Sequence, residues 1–232
     1  MNIWLGGPLD PRRDPKIEDE QCNLEKLERF GPFAVVFEEG DLPVPGHLPL
    51  LRMCDDDECL VVFGRIKRAL DTRKANHAIR VMLEDRNWRP HLVAAVALTI
   101  RDTQDQGVDL LWAAMDSGSW VSPQLAVVAR ALDSNFAVNA RSRILTGCPI
   151  TTPQFDNAVD RHSATGPKDT LARSVKTLSS LVALLEPQPP WLAEVMCQSD
   201  TQSALPSDRN NGAFIATGWA ARLASVHSKF SY

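Results

Sequence analysis

Apolar residues recur at intervals of three and four along most of the chain, and two stretches do so after the same opening. Asn87-Trp88-Arg89-Pro90-His91-Leu92 and Ser119-Trp120-Val121-Ser122-Pro123-Gln124-Leu125 each place a polar residue, a Trp and a Pro ahead of an apolar, Ala-rich run. The two Trp residues are 32 positions apart and the two Pro residues 33, inside the spacing of about 20–50 residues that marks stacked supersecondary units. Each unit reads as a pair of helices. The first helix covers residues 76–84 in one copy, with Ile79, Met82 and Leu83 inward, and residues 107–115 in the other, with Leu110, Leu111 and Ala114 inward. Pro90 and Pro123 fall in the first turn of the second helix, where a missing N–H costs nothing. Ala at 94, 95 and 97, and at 126, 129 and 131, lets neighbouring helices approach toward the near end of the usual spacing of about 8–10 Å. Trp88 and Trp120 are expected to plug the seam between the pairs, each with its indole N–H on a loop carbonyl. On that expectation Trp120→Ala costs about 3–5 kcal/mol of stability.

The same periodicity organises the flanks. Residues 6–21, with Gly6, Gly7, Pro8, Pro11, Pro15 and many charges, read as an irregular surface arm. Leu24, Leu27 and Phe30 predict a short helix stopped at Gly31-Pro32, and the β-branched and aromatic run over residues 33–37 leans to a short strand. Pro43, Pro45, Gly46 and Pro49 predict a loop. Asp55-Asp56-Asp57-Glu58 then opens a helix whose apolar face is Cys59, Val62, Phe63, Ile66 and Leu70, with Arg65, Lys67 and Arg68 opposing the negative end of its dipole. The alternative is a hairpin of residues 48–53 and 59–63 about the acidic turn, although four acidic residues make a poor turn.

After the repeat, Phe136, Ala140 and Ile144 predict a helix over 135–145 closed by Gly147-Cys148-Pro149, and residues 148–168 read as a broken polar loop. Leu171, Val175, Leu178, Val182 and Leu185 predict a long helix between Pro167 and Pro187. A short helix over 191–197, a polar loop over 198–211 and a closing helix over 213–230 with Phe214, Ile215, Trp219, Leu223 and Val226 complete the chain. The fold class is therefore mainly all-α, stacked helix pairs in the manner of an α-solenoid, with a less regular N-terminal segment over 1–50 that carries the short strand and a helical domain over 51–232.

Composition narrows the function more than it specifies it. With 232 residues, 44% of them hydrophobic and 23% charged, the chain belongs among ordinary globular proteins. A net charge of -4 and the lack of a Lys/Arg cluster argue against nucleic acid as a partner. No apolar run reaches the roughly 18 residues that a membrane span needs, and the N-terminus lacks the basic region of a signal peptide, so a soluble cytoplasmic protein is expected. The five Cys residues are odd in number and scattered, which fits reduced thiols better than a disulfide framework.

Three groups invite a chemical reading. Cys54 and Cys59 bracket four acidic residues, but no second Cys or His pair follows at a matching distance, and the acidic run lacks the alternating ligands and central Gly of a calcium loop. Asp160-Arg161-His162-Ser163 holds acid/base residue types, yet adjacent residues point apart where catalytic groups must converge. His47, His77 and His227 stand alone, and His91, in a helix's first turn, is expected to face solvent or a partner. No metal, no cofactor and no catalytic set is expected.

The Trp-x-Pro-x-Leu and Trp-x-x-Pro-x-Leu openings with their Ala-rich second helices resemble the helix pairs of HEAT and armadillo repeats over residues 76–146. In general character the chain also resembles the small helical proteins that bacteria use as immunity partners against delivered toxins. The first resemblance implies a surface for recognition, and the second implies a partner protein, such as a toxin, that is bound and blocked. The positions expected to meet that partner are the acidic run Asp55, Asp56, Asp57 and Glu58 together with Arg89 and His91. An enzyme with dispersed residues in the loops at 148–168 and 198–211, using Asp160 and His162, is the alternative. The identity of the partner and the oligomeric state stay open.

Overall fold

The two Ala-rich runs are apolar on every side, and a helix of that kind is stable only with neighbours all round it. In the computed structural model, which describes residues 27–38, 40, 42, 45–53, 56–85, 87–101, 107–150, 167–185 and 206–230, they are the most enclosed elements. Every residue from Pro90 to Leu98 and from Ser122 to Ala129 is buried. The elements in order are a 3-10 turn (Glu28–Phe33), α1 (Ala34–Phe37), α2 (His47–Arg52), α3 (Asp56–Leu70), α4 (Ala75–Leu83), α5 (Trp88–Arg101), α6 (Val108–Asp116), α7 (Ser122–Leu132), α8 (Phe136–Leu145), α9 (Pro167–Leu184) and α10 (Pro206–Phe230). Among the described residues the protein is all-helical.

The helices lie in layers. α5, α7 and α9 form a row in which α7 packs against both of the others. The first helices of the pairs lie on one side of it: α4 packs on α5, α6 on α7, α8 on α9, and α4 touches α6. On the other side α3 packs on α5, while α10 packs on α7 and α9 and reaches α3. The two tandem Trp-Pro segments therefore share one apolar interior, which includes Leu92, Val96, Leu125 and Val128. α10, the last helix in the sequence, packs on α7, α9 and α3.

The N-terminal elements belong to the same core. Phe30, Phe33 and Val36 are buried at a spacing of three and join Ile79 and Met82 in the interior, so residues 33–37 are helical and not a strand. Burial of a three-residue period overrides the β preference of a run this short. The sharp change of direction comes at Gly31, with φ 53 and ψ -123, a conformation open to glycine alone at little cost. The carbonyls left at the end of α1 are taken by Arg65, whose guanidinium donates to Val35 O at 3.2 Å and Glu38 O at 3.0 Å. Arg65 is thus a buried cap for another helix and not a surface charge balancing its own.

Three further expectations change. The proline-rich stretch over 43–49 ends in α2, because Pro49 falls in a first turn where its absent N–H is not needed; with α2 and α3 both helical, the hairpin alternative is excluded. α10 begins at Pro206, inside the stretch expected to be loop, since a Pro can open a helix that polar residues then continue. Ala131 is exposed, while Ala94, Ala95, Ala97, Ala126 and Ala129 are buried as expected. The expected helix over 191–197 lies outside the described residues.

The indole plugs are present, but at other tryptophans. Trp112 in α6 is buried, donates to Asp133 Oδ2 at 2.8 Å and stacks on Phe136 of α8 with ring centroids 5.6 Å apart. Trp219 in α10 is buried and donates to the Leu50 carbonyl at 2.9 Å, joining residues 169 apart. Asp133 is the hub between α7 and α8. Burial pushes its carboxyl up, but hydrogen bonds from Asn139, Trp112 and the Asn135 N–H, with the charge of Arg143, together hold it below the usual range.

Candidate partner-binding surface

Asn87, the polar residue ahead of the first Trp, caps α5 by accepting the Arg89 N–H at 3.0 Å, and Asp85 Oδ1 accepts the Asn87 N–H at 2.8 Å. The Asp85 carboxylate also pairs with Arg29, which ties the 3-10 turn to this corner. Trp88, as the first residue of α5, is half-buried, with the buried His47 ring edge-on at 6.0 Å and the Arg89 guanidinium 4.8 Å over its own ring. His47 sits in apolar surroundings, and burial, reinforced by the charge of Arg89, lowers its pKa to about 4.

His91 is buried, not turned to solvent or to a partner. Its Nε2 lies 2.7 Å from the Asp85 carbonyl, which can only accept, so Nε2 carries the proton and Nδ1 accepts from the Ser119 hydroxyl at 2.9 Å. Ser119 is the polar residue that opens the second copy. One imidazole therefore links the two repeat openings, and burial keeps its pKa below the ordinary value despite the raising effects of the Asp85 carbonyl bond and charge. A Ser–His pair resembles a nucleophile and its base, but both members are enclosed.

The remaining positions expected to meet a partner do not form one surface with His91. Asp57 is exposed and Glu58 half-buried in the first turn of α3, whereas Arg89 lies against Trp88 on α5. Asp55 lies outside the described residues, as do Asp160, His162 and Cys54; Asp56 begins α3. Cys59 is buried and directs its thiol toward the Pro49 carbonyl at 3.5 Å. Among the described residues no group of His, Cys, Asp and Glu is placed to hold a metal ion. Cys148 is an inert thiol, its pKa pushed up to about 12 by burial and by Asp116, with Arg143 opposing. His227 accepts from or donates to the Thr99 hydroxyl at 3.0 Å and meets the Phe63 ring edge-on, and burial lowers its pKa.

Trp120 behaves otherwise than Trp88. The second copy has one more residue between Trp and Pro, so Trp120 stands two residues ahead of α7 and not at its first position. The seam role expected of it is therefore not realised: 47% of the residue is exposed. What holds the indole comes from α9. Arg173 lies 5.1 Å and Lys176 5.0 Å from the ring centroid, at cation–π range. The same two side chains fix the backbone beneath it, Arg173 donating to the Gly118 carbonyl at 3.0 Å and Lys176 to the Trp120 carbonyl at 2.9 Å. Burial of its stem, and then the neighbouring Arg173, lowers the Lys176 pKa to about 8, so at neutral pH the ammonium stays charged. The result is an aromatic face held in place beside two cations. The sequence carries the signal only as the spacing of three between Arg173 and Lys176 on one helix, and nothing in it connects that helix to Trp120.

Comparisons with family models, with curated proteins and with solved structures find no match to this chain. Among the described residues no helix is long and apolar enough to cross a membrane.

Proposed function

We propose that this protein is a helical scaffold that binds and blocks one partner protein, in the manner of an immunity or adaptor protein, with Trp120 as the anchor of the interface. The observation that carries this reading is the half-exposed indole of Trp120, held by Arg173 and Lys176. Tryptophan and arginine are the side chains most enriched among residues that dominate protein–protein binding energy, and an anchor fixed before binding loses little entropy when it docks. Of the two cations Arg173 is buried and Lys176 half-buried, so the Lys176 ammonium favours a partner that brings an acidic or hydrogen-bond-accepting rim to the indole. The acidic first turn of α3 offers charge of the opposite sign on a separate helix.

The test is capture of the partner from the cells that encode the protein, comparing wild type with Trp120→Ala, together with co-expression against the product of a neighbouring gene. With half of the indole already in water, Trp120→Ala should lower folding stability by about 1–2 kcal/mol, leaving the chain folded. Affinity should fall by about 2 kcal/mol or more, roughly thirtyfold. Equal binding by the variant, or a wild-type protein that captures nothing and alters no neighbouring gene product, would end this reading.

A further inference from the structure

A cleft of about 510 Å³ opens between α4, the end of α5 and the head of α6, on the opposite side of the tandem pairs from α10. Its size lies within the range of about 300–1,000 Å³ typical of small-molecule sites. Ile79, Leu98 and Leu110 supply an apolar lining, and the polar lining includes Arg80, Arg101 and Asp109. Among the described lining residues, two guanidinium groups stand beside one carboxylate. Arg80 is partly answered by Glu84, at 3.3 Å and well exposed. Arg101 has neither an ion-pair nor a hydrogen-bond partner among the described residues. No side chain caps α6, so its first turn adds the positive end of a helix dipole to the same lining.

We propose that this cleft is a binding site for a small organic carboxylate with an apolar body, the carboxylate pairing with Arg101 and Arg80 and the body lying on Ile79, Leu98 and Leu110. A guanidinium beside an apolar floor is the arrangement that such a ligand completes, since a carboxylate is the anion whose geometry matches the guanidinium fork. Asp109 repels a dianion, which favours a single carboxylate over a phosphate. The site is independent of Trp120, and a ligand bound here leaves the interface proposed above untouched.

The experiment is an amide NMR titration of the full chain with octanoate, phenylpropionate and leucine, beside acetate, octan-1-ol and inorganic phosphate. At least one of the first three should shift amides at 107–110 and 101 in a saturable manner. Acetate, octanol and phosphate, which each lack the apolar body or the carboxylate, should bind at least tenfold more weakly. Arg101→Gln should weaken the responding carboxylate at least tenfold, as should Leu110→Ser, which thins the apolar lining at a half-buried position. Both variants should keep the wild-type circular dichroism. No saturable shift with any of the three carboxylates, shifts elsewhere in the chain, or equal binding by Arg101→Gln would overturn the proposal.

Discussion

Two helical glycines give the fold its most discriminating test, because the same added methyl group meets opposite surroundings. Gly64 lies inside α3, and a Cβ built there meets nothing within 4 Å. Gly212 lies inside α10, and a Cβ built there would come closer than 3.0 Å to the Lys176 carbonyl and to the Ser179 and Ser180 hydroxyls of α9. At both positions alanine gains helix propensity, about 1 kcal/mol. At Gly64 nothing opposes the gain, so Gly64→Ala should stabilise by roughly 0.5–1 kcal/mol. At Gly212 the obstacle is backbone, and that carbonyl is already fixed by hydrogen bonds from Ser179 at 3.1 Å and Ser180 at 2.7 Å. The α9–α10 seam must therefore open, and overpacking of this kind costs about 1–3 kcal/mol, which offsets the propensity gain of about 1 kcal/mol and leaves Gly212→Ala destabilised by up to about 2 kcal/mol. Urea unfolding followed by far-UV circular dichroism, with free energies from the midpoint and slope, measures both. If Gly212→Ala is as stable as Gly64→Ala, the two helices do not cross at Gly212 and the layer order described above is wrong.

The other expected outcomes follow from single buried groups. Trp219→Phe removes the donor to the enclosed Leu50 carbonyl, and an unsatisfied buried carbonyl costs about 1–3 kcal/mol before the smaller ring is counted; a loss of about 2–4 kcal/mol in urea unfolding is expected, and a loss under about 1 kcal/mol would contradict the bond. For His47, a folded pKa of about 4 against an ordinary 6.5 means that the unfolded chain takes up the proton first. Stability is then full above pH 6.5 and falls as pH drops toward 4, by about 3 kcal/mol in all. His47→Phe should remove that part of the pH dependence in unfolding curves taken between pH 7 and pH 4, and an unchanged slope would show that His47 is solvated.

Helix existence was legible wherever the period was long. Ile79, Met82 and Leu83, or Val175 and Leu178, state a buried face within one element, and burial confirms them. What the pattern could not give was the environment of a residue whose neighbours lie far along the chain. Trp88 and Trp120 have near-identical openings, so one role was expected of both. The extra residue before Pro123 was visible, but its consequence depends on Arg173 and Lys176, more than fifty positions later. His91 reads as exposed beside Pro90, and only contact with Ser119 turns it inward. Short runs failed for a related reason: residues 33–37 carry too few periods to outweigh β propensity, and their helix exists because Phe30, Phe33 and Val36 are buried in the same core as Ile79 and Met82. Of the positions expected to meet a partner, Asp57 is on the surface and Arg89 half-exposed against Trp88, but the residue that best fits an anchor was assigned to the interior.

The layer order also constrains where recognition can happen. In an open array of helix pairs, one row of helices lines a long concave surface, and that surface does the binding. Here the row α5–α7–α9 is packed against α3 and α10, and α10 is fixed at two points along its length. Trp219 fastens α10 to the Leu50 carbonyl next to α3, and Gly212 allows α10 to lie closely on α9. Exposing the row would break both contacts and open the core in which Leu125, Val128, Leu178 and Leu181 are deeply buried. At about 1.5–3 kcal/mol for each large apolar side chain, that opening approaches the whole stability of a domain of this kind, about 5–15 kcal/mol. A partner therefore has to be met at the rim of the layers, and Trp120, where the head of α7 meets α9, is the large aromatic side chain already held there.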